Sequence, residues 1–387
     1  MRGDRACSPA ETYGRVAGLL PAFGITRVAR QTGLDRIGLP VWLALTPNAR
    51  SIVVAQGKGQ TDEDARTSAV MEALERVVAG APHCPIRQAS PDELAAEGQP
   101  FLLLTSYLAP HRPAPAADEV IDWITGTDLV DGSLIHLPEE AVVLDRSRLD
   151  ARYWQSSDGL ASGNTLDEAI SHAVYERIER DAQVLWQIGP HAGRAASCIA
   201  PETYADDPGI AAILSRLAAA DMTLRVFDMT SDIGVPCFTA YLVADELLAS
   251  GTARFVDVTY GAGCHPVPHR AMMRALTEAV QSRITFIGGA RDDAFPAVYG
   301  RALPDETLRL MAAVPHEVPA RPGFEGGFDR LIERLSDLKL GPVIAVRLSG
   351  ADLPFAVAKV IMPALENPEG RRALRYGSRA LAKAMFA

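Results

Sequence analysis

Three stretches of the sequence set acidic and basic side chains at helical spacing. Ser68, Glu72, Glu75 and Arg76 fall at i, i+4, i+7 and i+8 of Ser68-Ala-Val-Met-Glu72-Ala-Leu-Glu75-Arg76. A second stretch carries Glu168 and then Glu176-Arg-Ile-Glu179-Arg180-Asp181, and a third carries Arg274, Glu278, Gln281 and Arg283. Residues three and four apart share a helix face, so each stretch presents its charges to one side. Carboxylates gathered on one patch repel one another unless a cation sits among them. Hard oxygen donors select Mg²⁺ or Ca²⁺, and Mg²⁺ usually brings phosphates with it. A site for ATP with Mg²⁺ is the first chemistry these spacings suggest.

Each stretch also has a plainer explanation. Glu72 and Arg76 could be an ordinary i,i+4 pair on a solvated face. Thr165-x-x-Glu168 has capping-box spacing, so Glu168 could simply cap its helix. The third stretch reads equally well as a salt-bridged polar face. Yet the second helix starts directly behind the loop Gly159-Leu-Ala-Ser-Gly-Asn164, and a helix N-terminus behind glycines is a ready anion site. The chain has no Gly-x-x-x-x-Gly-Lys-[Ser/Thr], which excludes a Walker-type nucleotide site.

The elements that must position these groups alternate between strand and helix. Residues 41–56 read as two strands around the Pro47-Asn48 turn. Thr61-Asp-Glu-Asp64 opens a helix that runs to about Val78. Residues 92–150, with Pro110, Pro113 and Pro115, suggest a peripheral set of short strands and loops. A long helix is expected from Thr165 to about Trp186, then strands near 222–229, 236–243 and 253–259. Gly261, Gly263 and Pro266 suggest a turn before a helix from about Pro268 to Ile287, which Gly288 and Gly289 end. Strands near 343–348 and 355–362 precede a basic C-terminal segment with Arg371, Arg372, Arg375, Arg379 and Lys383. The class is α+β with mixed sheets.

The 387 residues suffice for a substantial core, and 48% hydrophobic with 22% charged residues is ordinary for a globular chain. A net charge of −10 argues against non-specific nucleic-acid binding. No apolar run approaches the roughly 18 residues of a membrane helix, and the N-terminus lacks a signal-peptide core, so a cytoplasmic protein is expected. The five cysteines (Cys7, Cys84, Cys198, Cys237, Cys264) include no C-x-x-C pair, against a disulfide framework or a zinc knuckle. Cys264-His265 reads as a turn rather than a metal site.

Together the stretches are far more specific than any one of them. Ser68-x-x-x-Glu72-x-x-Glu75-Arg76, Gly159-Leu-Ala-Ser-Gly-Asn164-Thr-x-x-Glu168 and Glu176-x-x-Glu179-Arg180-Asp181 resemble the YcaO family. So does Gly263-Cys-His-Pro leading into Arg274-Ala-x-x-Glu278-Ala-x-Gln281-Ser-Arg283. The resemblance runs from Gly24-Ile-Thr-Arg27 to Val360-Ile-Met-Pro363-Ala-Leu-Glu366, and is strongest to YcaO proteins that work with a TfuA partner. It implies a single YcaO-type α+β domain over 1–387, with soft subdomains at about 1–90, 91–150 and 151–387 and ATP bound between them. It implies that Glu72, Glu75, Glu176 and Glu179, with Glu168 in addition, hold Mg²⁺ around ATP. Ser68, Arg76, Asn164, Arg180, Gln281 and Arg283, and more weakly Arg27, would contact the nucleotide. The implied chemistry is ATP-dependent phosphorylation of a peptide backbone amide oxygen. Sulfide as nucleophile gives a thioamide, and a Cys, Ser or Thr side chain gives an azoline. The chain ends Arg-Ala-Leu-Ala-Lys-Ala-Met-Phe-Ala387 rather than in Pro-x-Pro-x-Pro, and 387 residues leave no room for a fused peptide-recognition domain. Both favour thioamide formation with a TfuA-like partner over azoline formation. Azoline formation and a non-catalytic ATP-binding scaffold are the alternatives. A substrate peptide or protein and a homodimeric state complete the expected partners. Asp158 stands where the family more often has asparagine.

Overall fold

The computed structural model describes residues 5–367 and 376–386; Arg371, Arg372 and Arg375 of the basic segment lie outside them. The chain begins with α1 (Pro9–Val16), started by a Ser8–Glu11 capping box, and continues into an antiparallel meander of β1 (Arg27–Arg30), β2 (Val41–Leu45) and β3 (Val54–Lys58). α2 (Asp62–Gly80) follows β3 at once, opened by the expected Thr61–Asp64 capping box. Next come β4 (Ile86–Ala89), α3 (Pro91–Ala96), β5 (Ile121–Asp128), β6 (Leu134–Pro138) and α4 (Glu139–Val142). β7 (Leu160–Gly163) then leads into α5 (Leu166–Gln187), and α6 (His191–Ala196) and β8 (Cys198–Ile199) follow. α7 (Pro208–Ala219), β9 (Met222–Asp228), β10 (Cys237–Ala244) and α8 (Asp245–Ser250) precede β11 (Thr259–Cys264), which runs into α9 (Pro268–Gly288). The chain closes with α10 (Asp305–Met311), α11 (Gly327–Asp337), β12 (Ile344–Arg347), β13 (Ala356–Ile361) and α12 (Ser378–Phe386).

Among the described residues the strands form three antiparallel sheets: β1-β2-β3, β11-β10-β9-β8, and β4-β5-β12-β13-β7 with β6 also on β5. Strands from 86–138 therefore share a sheet with strands from 344–361. The class is α+β. One extended apolar core packs α1 and α2 against β5, β6, β12 and β13. A second lies between α5 and β10 and β11, and a third between α7, α9 and the other side of the β9–β11 sheet.

One local feature sets the position of the site. In three places a strand runs directly into a long helix that folds back on it: β3 into α2, β7 into α5, and β11 into α9. Each strand is glycine-bearing where its helix touches. A methyl group at Gly57 would overlap the backbone of Ala65 and Ala69, and one at Gly263 would overlap that of Ala271. Helix and strand backbones are thus in direct contact, with alanines opposite glycines. This corrects the expected turn at Gly261 and Gly263. Both lie inside β11, and the segment expected as a strand near 253–259 is a 3-10 turn at Phe255–Asp257. Glycine within a strand here marks close backbone approach rather than chain reversal.

Candidate active site

The faces of α2, α5 and α9 that hold the charged stretches meet at one cavity of about 410 Å³. α2 contributes Ser68, Glu72 and Glu75, and α5 contributes Glu168, His172, Glu176, Glu179 and Arg180. α9 contributes Arg274 and Glu278, and Asn164 lies just ahead of α5. Lys58 comes from the end of β3, and Arg5 and Thr12 come from the N-terminal segment. The 3.6-residue period explains why each helix supplies residues at three- and four-residue spacing.

The electrostatics are those of an acidic cluster with embedded cations. Burial, reinforced by the charges of Glu72 and Glu176, pushes the Glu75 carboxyl up to about 8. Burial likewise raises Glu176 to about 7, with Arg180 opposing and Asp158 and Glu179 adding to the rise. Glu179 is also raised, first by burial and then by the charge of Glu278, against the pull of Arg180. Glu278 goes the other way: Lys58, 2.6 Å from it, and Arg180 outweigh its burial and hold it below its usual range. Arg180 stands 3.4 Å from Glu176, 3.7 Å from Glu179 and 3.5 Å from Asp158. Arg274 donates to the Cys264 carbonyl at 3.0 Å and lies 3.4 Å from His172 Nε2. Glu75, Glu176 and Glu179, which burial pushes toward the protonated form, make a wall that a divalent cation would stabilise.

Among the described residues no three carboxylate, imidazole or thiol groups already converge on one point. Mg²⁺ binds through carboxylates together with phosphate oxygens and water, and the wall of Glu72, Glu75, Glu176 and Glu179 beside Lys58, Arg180 and Arg274 offers oxygen ligands for the ion and cations for phosphate. The residues present therefore fit a Mg²⁺–nucleotide group.

Several expected residues sit elsewhere. Arg76 pairs with Glu72 at 2.9 Å, behind the cavity wall. Gln281 donates to the Gln56 carbonyl at 2.9 Å, and Arg283 faces the buried Asp35 at 3.5 Å, both farther along α9. Arg27 is on the exposed β1. None of these four lines the cavity. The anion site expected at the start of α5 is filled by the chain itself. The Glu168 carboxylate accepts the Asn164 N–H at 3.1 Å and the Ala6 N–H at 3.3 Å, while Thr165 caps the Glu168 N–H at 3.2 Å. Most of the Gly159–Asn164 loop is in fact β7. Lys58, His172 and Arg5 were not singled out from sequence; the lysine follows directly from its place at the end of a strand that enters a carboxylate-bearing helix.

A model of the YcaO cyclodehydratases, described as ATP- and Mg²⁺-binding, matches residues 56–366. The chain belongs to the YcaO family. ATP and Mg²⁺ are the cofactors of this YcaO protein. It is 36% identical over 389 residues to a protein encoded in the tfuA 3′ region of Rhizobium leguminosarum bv. trifolii, covering 98% of this chain and 92% of that one. Its fold resembles a heterocyclase solved with substrate and cofactor (TM-score 0.76, 20% identity), over 95% of this chain and 53% of that one. It also resembles the YcaO of Methanopyrus kandleri bound with AMPPCP and Mg²⁺ (TM-score 0.72, 21% identity), over 94% and 93% of the two chains. Among the described residues no helix is long and apolar enough to cross a membrane.

Proposed function

We propose that this YcaO protein uses ATP to phosphorylate a backbone amide oxygen of a peptide or protein, and that with a TfuA-like partner the product is a thioamide. The observation that carries the reading is the single cavity wall shared by Glu72, Glu75, Glu176, Glu179 and Arg180. The relative encoded beside tfuA supports the choice of sulfur. In this reading Glu72, Glu75, Glu176 and Glu179 hold the ion, with Glu168 adjoining. Ser68, Asn164, Arg180, Lys58 and Arg274 face the nucleotide. When bound, Mg²⁺ neutralises charge that builds on the transferring phosphoryl group.

Sulfide adds to the amide carbon, and the resulting oxyanion attacks the γ-phosphorus, releasing ADP. The C–O bond then breaks as the C=S bond forms and the sulfur gives up its proton, and the original amide oxygen leaves in phosphate. A poor leaving group has become a good one. Arg180 and Lys58 supply fixed positive charge where phosphate charge increases, without reorganisation at the moment of reaction.

The family's description as cyclodehydratases favours a second reading, azoline formation on Cys, Ser or Thr. Peptide mass separates the two. The purified protein is incubated with Mg²⁺–ATP, the TfuA-like protein, sulfide and a candidate peptide. A gain of about 16 Da is expected, oxygen replaced by sulfur. A loss of about 18 Da would establish the azoline instead. ATP binding with neither change would favour a scaffold subunit.

A further inference from the structure

Helix α5 carries two arginines three residues apart that face opposite ways. Arg177 is 1% exposed and donates to the carbonyls of Leu365 and Glu366 at 3.4 and 2.9 Å. Arg180 lines the cavity. Asp158, from the turn ahead of β7, is buried between them, 3.7 Å from Arg177 Nη1 and 3.5 Å from Arg180 Nε. Its backbone is fixed by a hydrogen bond from its N–H to Ser156 Oγ at 3.0 Å. Gly159, at φ +73, seats the turn against Arg177: a methyl group there would stand 2.8 Å from Arg177 Cδ. The fixed backbone of the turn thus sets Asp158 between both guanidiniums.

The three carboxylates around Arg180 are not equivalent. Glu176 and Glu179 line the cavity, whereas Asp158 does not. An ion in the cavity draws on Glu176 and Glu179, and Asp158, shared with Arg177, then remains paired with Arg180 outside the cavity. Without that counter-charge the buried Arg177 and the partly exposed Arg180 repel each other, and Arg177 loses part of its desolvation compensation.

We propose that Asp158 is a positioning residue for the nucleotide: it holds Arg180 aimed into the cavity while Glu176 and Glu179 engage the ion. The inference rests on the reading of the cavity as the Mg²⁺–ATP site. It gives a physical sense to aspartate at this position, because asparagine could hold the turn but could not balance Arg177 and Arg180.

The test is calorimetric titration of Mg²⁺–ATP into the wild type, Asp158→Asn, Asp158→Asn/Arg177→Met, Arg180→Gln and Asp158→Asn/Arg180→Gln, with melting temperatures alongside. Asp158→Asn should bind at least about tenfold more weakly. Removing Arg177 as well, which also gives up its bonds to the Leu365 and Glu366 carbonyls, should not restore the affinity. In the Arg180→Gln background Asp158→Asn should have no further effect on affinity. Wild-type affinity in Asp158→Asn, or affinity recovered in Asp158→Asn/Arg177→Met, would overturn the proposal and leave a purely structural aspartate. A wild type that binds no Mg²⁺–ATP would instead remove the cavity reading, and this inference with it.

Discussion

At the scale of single residues, the site is built from groups held away from their ordinary protonation. Glu75 titrates at about 8 in the folded protein against 4.5 for an unperturbed glutamate, and Glu176 at about 7. Between the two values the folded protein keeps a proton that the unfolded chain has lost. Stability contributed here therefore falls as pH rises from about 4.5 towards 8. Glu75→Gln removes that penalty. The metal-free variant should melt a few degrees above the wild type at pH 8, with the difference vanishing near pH 5, as read by differential scanning calorimetry. An unchanged melting difference across that range would show that Glu75 is not perturbed. The same protons must leave when an ion binds. Mg²⁺–ATP binding should tighten from pH 6 to pH 8.5 and release protons at pH 7, measured by calorimetry in buffers of different ionisation enthalpy. Binding that weakens with rising pH would contradict it.

At the scale of elements, three strand–helix units place the charged faces, and glycine–alanine contact sets how closely each helix lies on its strand. Gly263→Ala forces α9 away from β11, since the new methyl meets the Ala271 carbonyl. It should cost about 3 kcal/mol or more in urea unfolding and weaken Mg²⁺–ATP binding, because Arg274 and Glu278 ride on α9. A cost below about 1 kcal/mol would mean that the contact relaxes freely. Helices α2, α5 and α9 were legible within two or three residues at each end, because periodicity and caps are local signals. β7 and β11 were misread as loop and turn. Their glycines look like chain reversal in one dimension, and only packing against a helix reveals their purpose.

At the scale of the molecule, residues distant in sequence meet in one cavity: Lys58 with Glu278, Glu75 with Glu176, and Arg274 with His172. The acidic part of the site was legible, since helical spacing alone groups Glu72 with Glu75 and Glu176 with Glu179. Its cations were less so. Lys58 carries no motif and enters only because β3 feeds α2, whereas Gln281 and Arg283 belong to the right helix but lie beyond the stretch that reaches the cavity. The central claim is that these separate faces form one Mg²⁺–ATP site, and titration of ATP with and without Mg²⁺ into the wild type and Glu179→Ala tests it most directly. The wild type should bind ATP only with Mg²⁺. Glu179→Ala should keep its fold and lose that binding by about a hundredfold. Unchanged Mg²⁺-dependent affinity in the variant would contradict the account.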